Sequence, residues 1–296
     1  MIIVTGANGQ LGRAIVEELV HLVPAGQVVV SVRDPEKAAA LRPLGVEVRR
    51  GDFAEPESLA RAFAGAQAVL LVSSNAAAYG GDPLAQHRAA IDAARAAGAE
   101  RIVYTSHMAT SATSLFPPMR DHAKTEAMLA ESGLAWTSLR HGFYAASGLM
   151  LMGNALKTGV IEAPADGKVA WTAHADLAAA DAAILADIFM GNGGRYDGPT
   201  PPLTGSAALD LADLAALAAD LLGRPVRREV ITDAELQARL ASRGLPQGAQ
   251  ALTLGLYAAS RNGEFSALDP MLAGLLGRAP IAMRDILAEA MAAQAA

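Results

Sequence analysis

Ile2-Ile3-Val4-Thr5-Gly6-Ala7-Asn8-Gly9-Gln10-Leu11-Gly12 is the stretch whose reading decides the fold. A short apolar strand runs into a turn with glycine at 6, 9 and 12. Ile15, Val16, Leu19 and Val20 then recur at helical spacing. Strand, glycine turn and helix together make an anion site. Glycines let the backbone approach a pyrophosphate, and the helix N-terminus turns unpaired N–H groups and a positive dipole end toward it. Gly6, Asn8, Gly9, Gln10 and Leu11 are the candidate residues for holding it. A second strand pattern about 20 residues on supplies the context that distinguishes a dinucleotide-binding turn from a merely tight one.

That second strand, Gln27-Val28-Val29-Val30-Ser31-Val32-Arg33, selects the dinucleotide. A site for NAD(H) places a carboxylate here, to accept from the ribose 2′-hydroxyl. The chain offers Ser31 and Arg33 instead. A guanidinium matches a 2′-phosphate in charge and geometry, so NADP(H) is the expected cofactor. Lys37 is a second cation nearby, beside Asp34 and Glu36.

Strand and helix patterns alternate onward. Pro35 to Leu44 reads as a helix, Val46 to Arg50 as a strand and Pro56 to Phe63 as a helix. Ala68 to Val72 is an apolar run of the buried parallel type. A helix over Pro83 to Ala97, a strand at Ile102 to Tyr104, a helix over Asp121 to Glu131 and a strand at Trp136 to Leu139 follow. Repeated βα units predict a doubly wound parallel α/β sheet of Rossmann type, with ligands outside the carboxyl ends of its strands. The residues at those ends are candidates for the cofactor: Asp52 and Phe53 for the adenine, Val72, Ser73 and Ser74 for the ribose and pyrophosphate, and Tyr104, Thr105 and Ser106 for the nicotinamide end.

Past residue 141 the pattern changes. Ala145 to Lys157 reads as a helix, with strand pieces near Val160 and at Val169 to Trp171. Asp176 to Met190 reads as an alanine-rich helix and Gly191 to Gly205 as a loop. A helix over Leu209 to Leu222, a strand at Val226 to Ile231 and a mostly helical tail complete the chain. The expected organisation is a cofactor domain over 1–141, joined again by 158–204, and a smaller, mainly helical C-terminal substrate lobe over 142–157 and 205–296.

Composition bounds the function classes. The chain has 296 residues, 52% of them hydrophobic, a net charge of −6 and no cysteine. It therefore has no disulfide, thiolate zinc site or iron–sulfur cluster, and no metal site is expected. The acidic balance argues against nucleic acid as a partner. No apolar run approaches the ~20 residues that span a bilayer, and nothing resembles a secretion signal, so no membrane partner and a cytoplasmic location are expected. A homodimer is left open.

Gly9-Gln10-Leu11-Gly12, Gly45-Val46-Glu47-Val48, Gly51-Asp52, Tyr104-Thr105, His122 to Glu126 and Leu139-Arg140 together resemble the NmrA-like atypical branch of the short-chain dehydrogenase/reductases. Within it the chain is most similar to NADPH-dependent quinone oxidoreductases and triphenylmethane reductases. The likeness extends through Asp166-Gly167 and Ala175 to Ala178. Typical members of the wider superfamily carry Tyr-x-x-x-Lys on the helix before the sixth strand, the tyrosine serving as proton donor. Here the stretch is Pro117-Pro118-Met119-Arg120-Asp121-His122-Ala123-Lys124-Thr125-Glu126, without a tyrosine. Alignment sets Pro118 at the tyrosine position and His122 at the lysine position; a slip of one or two residues brings Lys124 there instead.

What survives this loss is direct hydride transfer to an acceptor that needs little acid assistance, such as a quinone or another conjugated aromatic small molecule. His122, Lys124 and Tyr144 are the candidate catalytic residues, and His141, Phe143 and Tyr144 the candidate wall against a flat substrate. The competing expectation is a regulator of the NmrA kind, which binds the cofactor without turning it over. An epimerase is disfavoured by the missing tyrosine.

Overall fold

In the computed structural model, which describes residues 1–295, strand β1 (Ile2–Thr5) is buried along its whole length. A strand like this needs parallel neighbours on both sides and helices on both faces. The strands that follow are β2 (Val28–Val32), β3 (Glu47–Arg50), β4 (Ala68–Leu71), β5 (Arg101–His107) and β6 (Ala135–His141). Three more, β7 (Phe143–Tyr144), β8 (Val160–Pro164) and β9 (Trp171–Thr172), lie in a different unit. Then β10 (Gly198–Pro199) closes one edge, where a proline is tolerated. The seven-stranded order is β10-β6-β5-β4-β1-β2-β3, every pair parallel. The order reverses between β1 and β4, the switch point at which such sheets bind ligands.

Two helix layers cover the sheet. Helices α1 (Gln10–Leu19), α2 (Pro56–Ala62), α3 (Pro83–Ala96) and α4 (Pro117–Ala130) follow successive strands. Helices α5 (Ala145–Leu151) and α6 (Ala155–Thr158) precede α7 (His174–Phe189), which packs along α1. Ile3, Val29, Val69, Leu71, Ile102 and Tyr104 meet Leu59, Ile91, Ala94 and Leu129 of α2, α3 and α4, and Phe63 just after α2, in one core cluster. Strand alternation turns Ile2, Val4, Val28, Val30, Leu70 and Val103 to the opposite face. Each fully buried aliphatic side chain contributes about 1.5–3 kcal/mol, so the sheet is the stable platform of this unit.

This unit comprises Met1–Ala112, Asp121–His141 and His174–Pro201. A second unit comprises Thr113–Arg120, Gly142–Ala173 and the chain from Pro202 onward. It contains β11 (Arg227–Ile231), paired in parallel with β8, and the pair β7 and β9. Its remaining helices are α8 (Leu211–Leu222), α9 (Asp233–Ser242), α10 (Gln247–Arg261), α11 (Met271–Leu276) and α12 (Met283–Ala295). Residues 158–173, expected with the cofactor domain, stay in this unit, because their strands pair with β11 and β7.

Other differences from the sequence reading have local causes. Pro35–Leu44 forms 3-10 turns rather than an α-helix. Pro43 lacks the N–H for an α-helical bond and its ring crowds the carbonyl four residues back. Ala145 to Lys157 is two helices, parted at Gly153, whose φ is +56°. Helix α4 starts at Pro117, four residues earlier than expected, since prolines fit the first turn, where no N–H is needed. Asp210 caps α8 in a reciprocal capping box with Asp213, which leaves Leu209 outside.

Candidate functional site

Each glycine of the opening turn answers a separate constraint. Gly6 has φ +65°, and a Cβ there would lie 3.0 Å from Val72 Cβ. A Cβ on Gly12 would stand 2.5 Å from the Gly6 carbonyl oxygen. The Gly9 N–H donates to that same oxygen at 2.9 Å, which closes the turn. Gly9 is also the N-cap of α1 and brings no side chain to it. The first N–H groups of α1 are thus left for a ligand, at the positive end of the helix. The donor set suits a diphosphate, and a Cβ at Gly6 or Gly12 would distort the turn that presents it. Thr5 ties the floor together: its hydroxyl donates to the Leu70 carbonyl and accepts from the Val72 N–H, each at 3.0 Å.

At the end of β2, Arg33 is exposed and forms no ion pair among the described residues. Lys37 pairs with Asp34 at 3.7 Å on the surface. Asn8 donates from Nδ2 to the Asp34 carbonyl at 3.1 Å, so the glycine turn and the end of β2 are fixed to each other. After β3, one Asp52 carboxylate oxygen accepts from the Ala54 N–H at 3.0 Å, which leaves the other available. The Asp52 N–H donates to Ser58 Oγ at 2.8 Å. Phe53, half-buried, packs against the core cluster.

The segment after β4 is held by side chains from elsewhere. The Ser73 N–H donates to Thr105 Oγ1 at 2.8 Å and the Ser74 N–H to His87 Nε2 at 2.8 Å. Ser74 Oγ donates to Gln86 Oε1 at 2.5 Å. Thr125 donates its hydroxyl proton to the Asp121 carbonyl at 2.9 Å, so it accepts from His87 Nδ1 at 2.9 Å. His87 is therefore a neutral imidazole protonated at Nδ1, since its Nε2 must accept. The sequence reading missed this residue. The available signal was its place on the apolar face of α3, at helical spacing from Ala90, Ile91 and Ala94.

Burial pushes His87 down to about 4, against a weaker opposing pull from Asp82. His122 on α4 is pushed down to about 3, by burial first and then by His87 and His141. His107 lies well below the ordinary histidine range for the same leading reason, with His122 and His141 adding to it. These rings are neutral when folded and take up protons near pH 6.5 when unfolded. Stability from them is complete above about pH 6.5 and is lost as pH falls toward the folded values. Lowering the pH from 7 to 4 should cost about 3 kcal/mol through His87 alone. Urea unfolding of wild type and His87→Gln checks this: the difference between the two should shrink across that window. A constant difference contradicts it.

His122 meets Tyr104 and His107. The Tyr104 hydroxyl lies 2.7 Å from His122 Nδ1, and the His107 and His122 rings stack with centroids 6.4 Å apart. Tyr104 is fully buried, so its side chain belongs to this internal contact and not to a ligand-facing surface. Ser106 is corrected likewise. Its hydroxyl donates to Glu126 Oε1 at 2.8 Å inside the core. Thr105 is buried and supports the Ser73 N–H. Lys124 points to solvent, 3.5 Å from Asp121, because residues two apart on a helix face different ways. Its expected catalytic role therefore has no geometric support.

The three residues of the expected substrate wall have different surroundings. His141 is fully buried, with Nε2 2.9 Å from Asp181 Oδ1. Burial pushes the Asp181 carboxyl up, opposed by His141. Phe143 packs edge-on against Phe265 at 4.9 Å and Trp171 at 5.6 Å, in the aromatic core of the second unit. In a chain with 4% aromatics, these rings serve packing before recognition. Tyr144 is half-buried and stands at the N-cap position of α5, without a capping hydrogen bond from its side chain.

Known proteins share this architecture. A family model described as NAD(P)H-binding matches residues 6–187. The chain is 39% identical over 269 residues to quinone oxidoreductase 2 of Escherichia coli (strain K12), covering 90% of each. It matches the crystal structure of an Escherichia coli NADPH-dependent quinone oxidoreductase complexed with NADPH at a TM-score of 0.90 and 34% identity, covering 98% of this chain and 100% of that one. Citrobacter sp. triphenylmethane reductase complexed with NADP(H) matches at 0.85 and 30% identity, covering 98% and 100%. With a diphosphate cradle at the switch point of its sheet and these relatives, the chain belongs to the NAD(P)H-binding family.

Proposed function

We propose that this protein is an NADPH-dependent oxidoreductase that reduces a quinone or a similarly conjugated small molecule. The observation that carries the reading is the cradle of Gly6, Gly9 and Gly12 with the ion-pair-free Arg33 at the end of the next strand. Likeness to proteins named quinone oxidoreductase and triphenylmethane reductase supports the acceptor class.

In this reading the N–H groups at the start of α1 hold the diphosphate, and Arg33 holds the 2′-phosphate in a bidentate grip. The free carboxylate oxygen of Asp52 accepts from the adenine amino group. The Val72 to Ser74 segment, pinned by Thr5, Thr105 and His87, supports the ribose. Bound, the reduced nicotinamide supplies a hydride. The chain has Pro118 where a tyrosine acid is expected, so its own residues orient the partners and donate hydrogen bonds rather than a proton.

Arg33→Ala should weaken NADPH binding about 30-fold while changing NADH binding little, as expected for a lost charge-assisted contact. Calorimetry with both nucleotides measures it; equal losses remove Arg33 from this role. Absorbance of NADPH followed with menadione tests the activity. Tight NADPH binding without turnover of any quinone would favour the cofactor-sensing alternative.

A further inference from the structure

We propose that Tyr104 holds His122 as a neutral imidazole protonated at Nε2, and that this N–H donates a hydrogen bond to an oxygen of the acceptor as it is reduced. The proposal rests on the oxidoreductase reading above and assigns a donor to a site that lacks the tyrosine acid.

The Tyr104 contact is the basis for the tautomer proposed. A phenol keeps its proton at neutral pH, and a neutral imidazole has one nitrogen that accepts. In the proposed arrangement the Tyr104 hydroxyl, 2.7 Å from His122 Nδ1, is the donor of that contact, which puts the ring proton on Nε2. Tyr104 cannot swing away. It is fully buried in β5, and the His87 ring stands edge-on to it with centroids 5.3 Å apart. His107 stacks on the other ring of the pair. His122 Nε2 has no hydrogen-bond partner among the described residues, and it is not one of the sealed, unpartnered atoms of the interior. It is therefore a donor held in place and open to a ligand, near the carboxyl end of β5, where sheets of this kind bind the reacting end of the dinucleotide.

The charge state supports a donor over an acid. The groups facing His122 are Tyr104, His87, His107 and His141, and burial, with the two histidines His87 and His141 adding to it, holds the ring neutral. A neutral imidazole loses no proton in the reaction. It stabilises charge that develops on the acceptor oxygen, as a preorganised donor does. The acceptor gains two electrons with the hydride from the reduced nicotinamide, and water supplies the proton that completes its reduction.

Long-range proton–nitrogen spectra of histidine-labelled, cofactor-free protein at pH 7 test the tautomer. His122, assigned by loss of its signals in His122→Gln, should be protonated at Nε2. Tyr104→Phe, which keeps the ring, should shift it toward mixed tautomers. With menadione, Tyr104→Phe should lower kcat about tenfold and leave NADPH affinity unchanged. His122→Gln keeps an N–H near the Nε2 position and should retain more activity than His122→Ala. An Nδ1–H tautomer in the wild type, or no shift in Tyr104→Phe, overturns the proposal. Weakened NADPH affinity in Tyr104→Phe also overturns it, by assigning the donor to a ribose oxygen. A wrong tautomer in an active wild type removes this inference alone, whereas a wild type inert toward every quinone removes the oxidoreductase reading.

Discussion

Gly12→Ala should lower NADPH affinity about a hundredfold, the equivalent of about 3 kcal/mol. The added Cβ would lie 2.5 Å from the Gly6 carbonyl oxygen, 2.8 Å from its carbon and 3.1 Å from Ala7 Cα. All three are backbone atoms, so no side chain can rotate aside to relieve the clash. Gly6 cannot retreat freely either. It is held in the left-handed region, accepts from the Gly9 N–H and lies against Val72. The turn must therefore open, and the N–H groups aimed at the diphosphate move with it. Folding should lose only about 1–3 kcal/mol, the ordinary cost of overpacking, because the strain stays at one end of α1.

Calorimetry with NADPH and thermal unfolding separate these effects. Gly26→Ala is the control. Gly26 lies before β2, a Cβ there meets nothing within 4 Å, and both readouts should stay at wild-type values. If Gly12→Ala bound NADPH as tightly as the wild type, the diphosphate would have to be held elsewhere.

The elements legible in the sequence are those with local causes. The glycine turn, the apolar parallel strands and the chain's alternation needed only periodicity and turn chemistry, and they predict the sheet that forms. Arg33 was singled out because a strand end carries a fixed role in this fold, and its part in holding the cofactor is the proposal made above. Partners distant in sequence were not legible. His87 finds Thr125 38 residues on, and Ser106 finds Glu126 20 residues on. Polar residues at strand ends look alike in sequence whether they face a ligand or a neighbouring helix. Ser106 and Tyr104 were read as ligand contacts for that reason, yet both turn to α4. The packing of Phe143 was hidden for a different reason. Its aromatic partners Phe116, Trp171 and Phe265 come from distant segments that assemble only in the folded unit.

Glu126→Ala should destabilise the protein by about 3 kcal/mol, the low end of the range for removing one partner of a buried ion pair, because the Arg140 side chain is still 29% exposed. Glu126 is 8% exposed and fully used. Oε1 accepts from Ser106 Oγ at 2.8 Å, Ser138 Oγ at 2.7 Å and Arg140 Nε at 3.1 Å, while Oε2 accepts from an Arg140 terminal nitrogen at 2.7 Å. One carboxylate thus joins α4 to β5 and β6. Its removal takes bonds from a part-exposed guanidinium and two buried hydroxyls at once, and of these Ser106 keeps its 2.9 Å contact with Thr110. At about 2–4 °C per kcal/mol for a chain somewhat smaller than this one, the melting temperature should fall by roughly 10 °C.

The damage should reach the chemistry through α4. His122 lies one turn before Glu126 on the same helix, so the carboxylate that anchors α4 also fixes where the imidazole stands. Glu126→Ala should therefore lower turnover with a quinone while NADPH affinity, which the proposed function assigns to the glycine turn and Arg33, stays near the wild-type value. Replacing both partners, as Glu126→Leu with Arg140→Met, should recover part of the lost stability, because no charge is then left buried alone. If the single and double variants proved equally unstable, the cost would lie in lost packing around α4 rather than in the stranded Arg140.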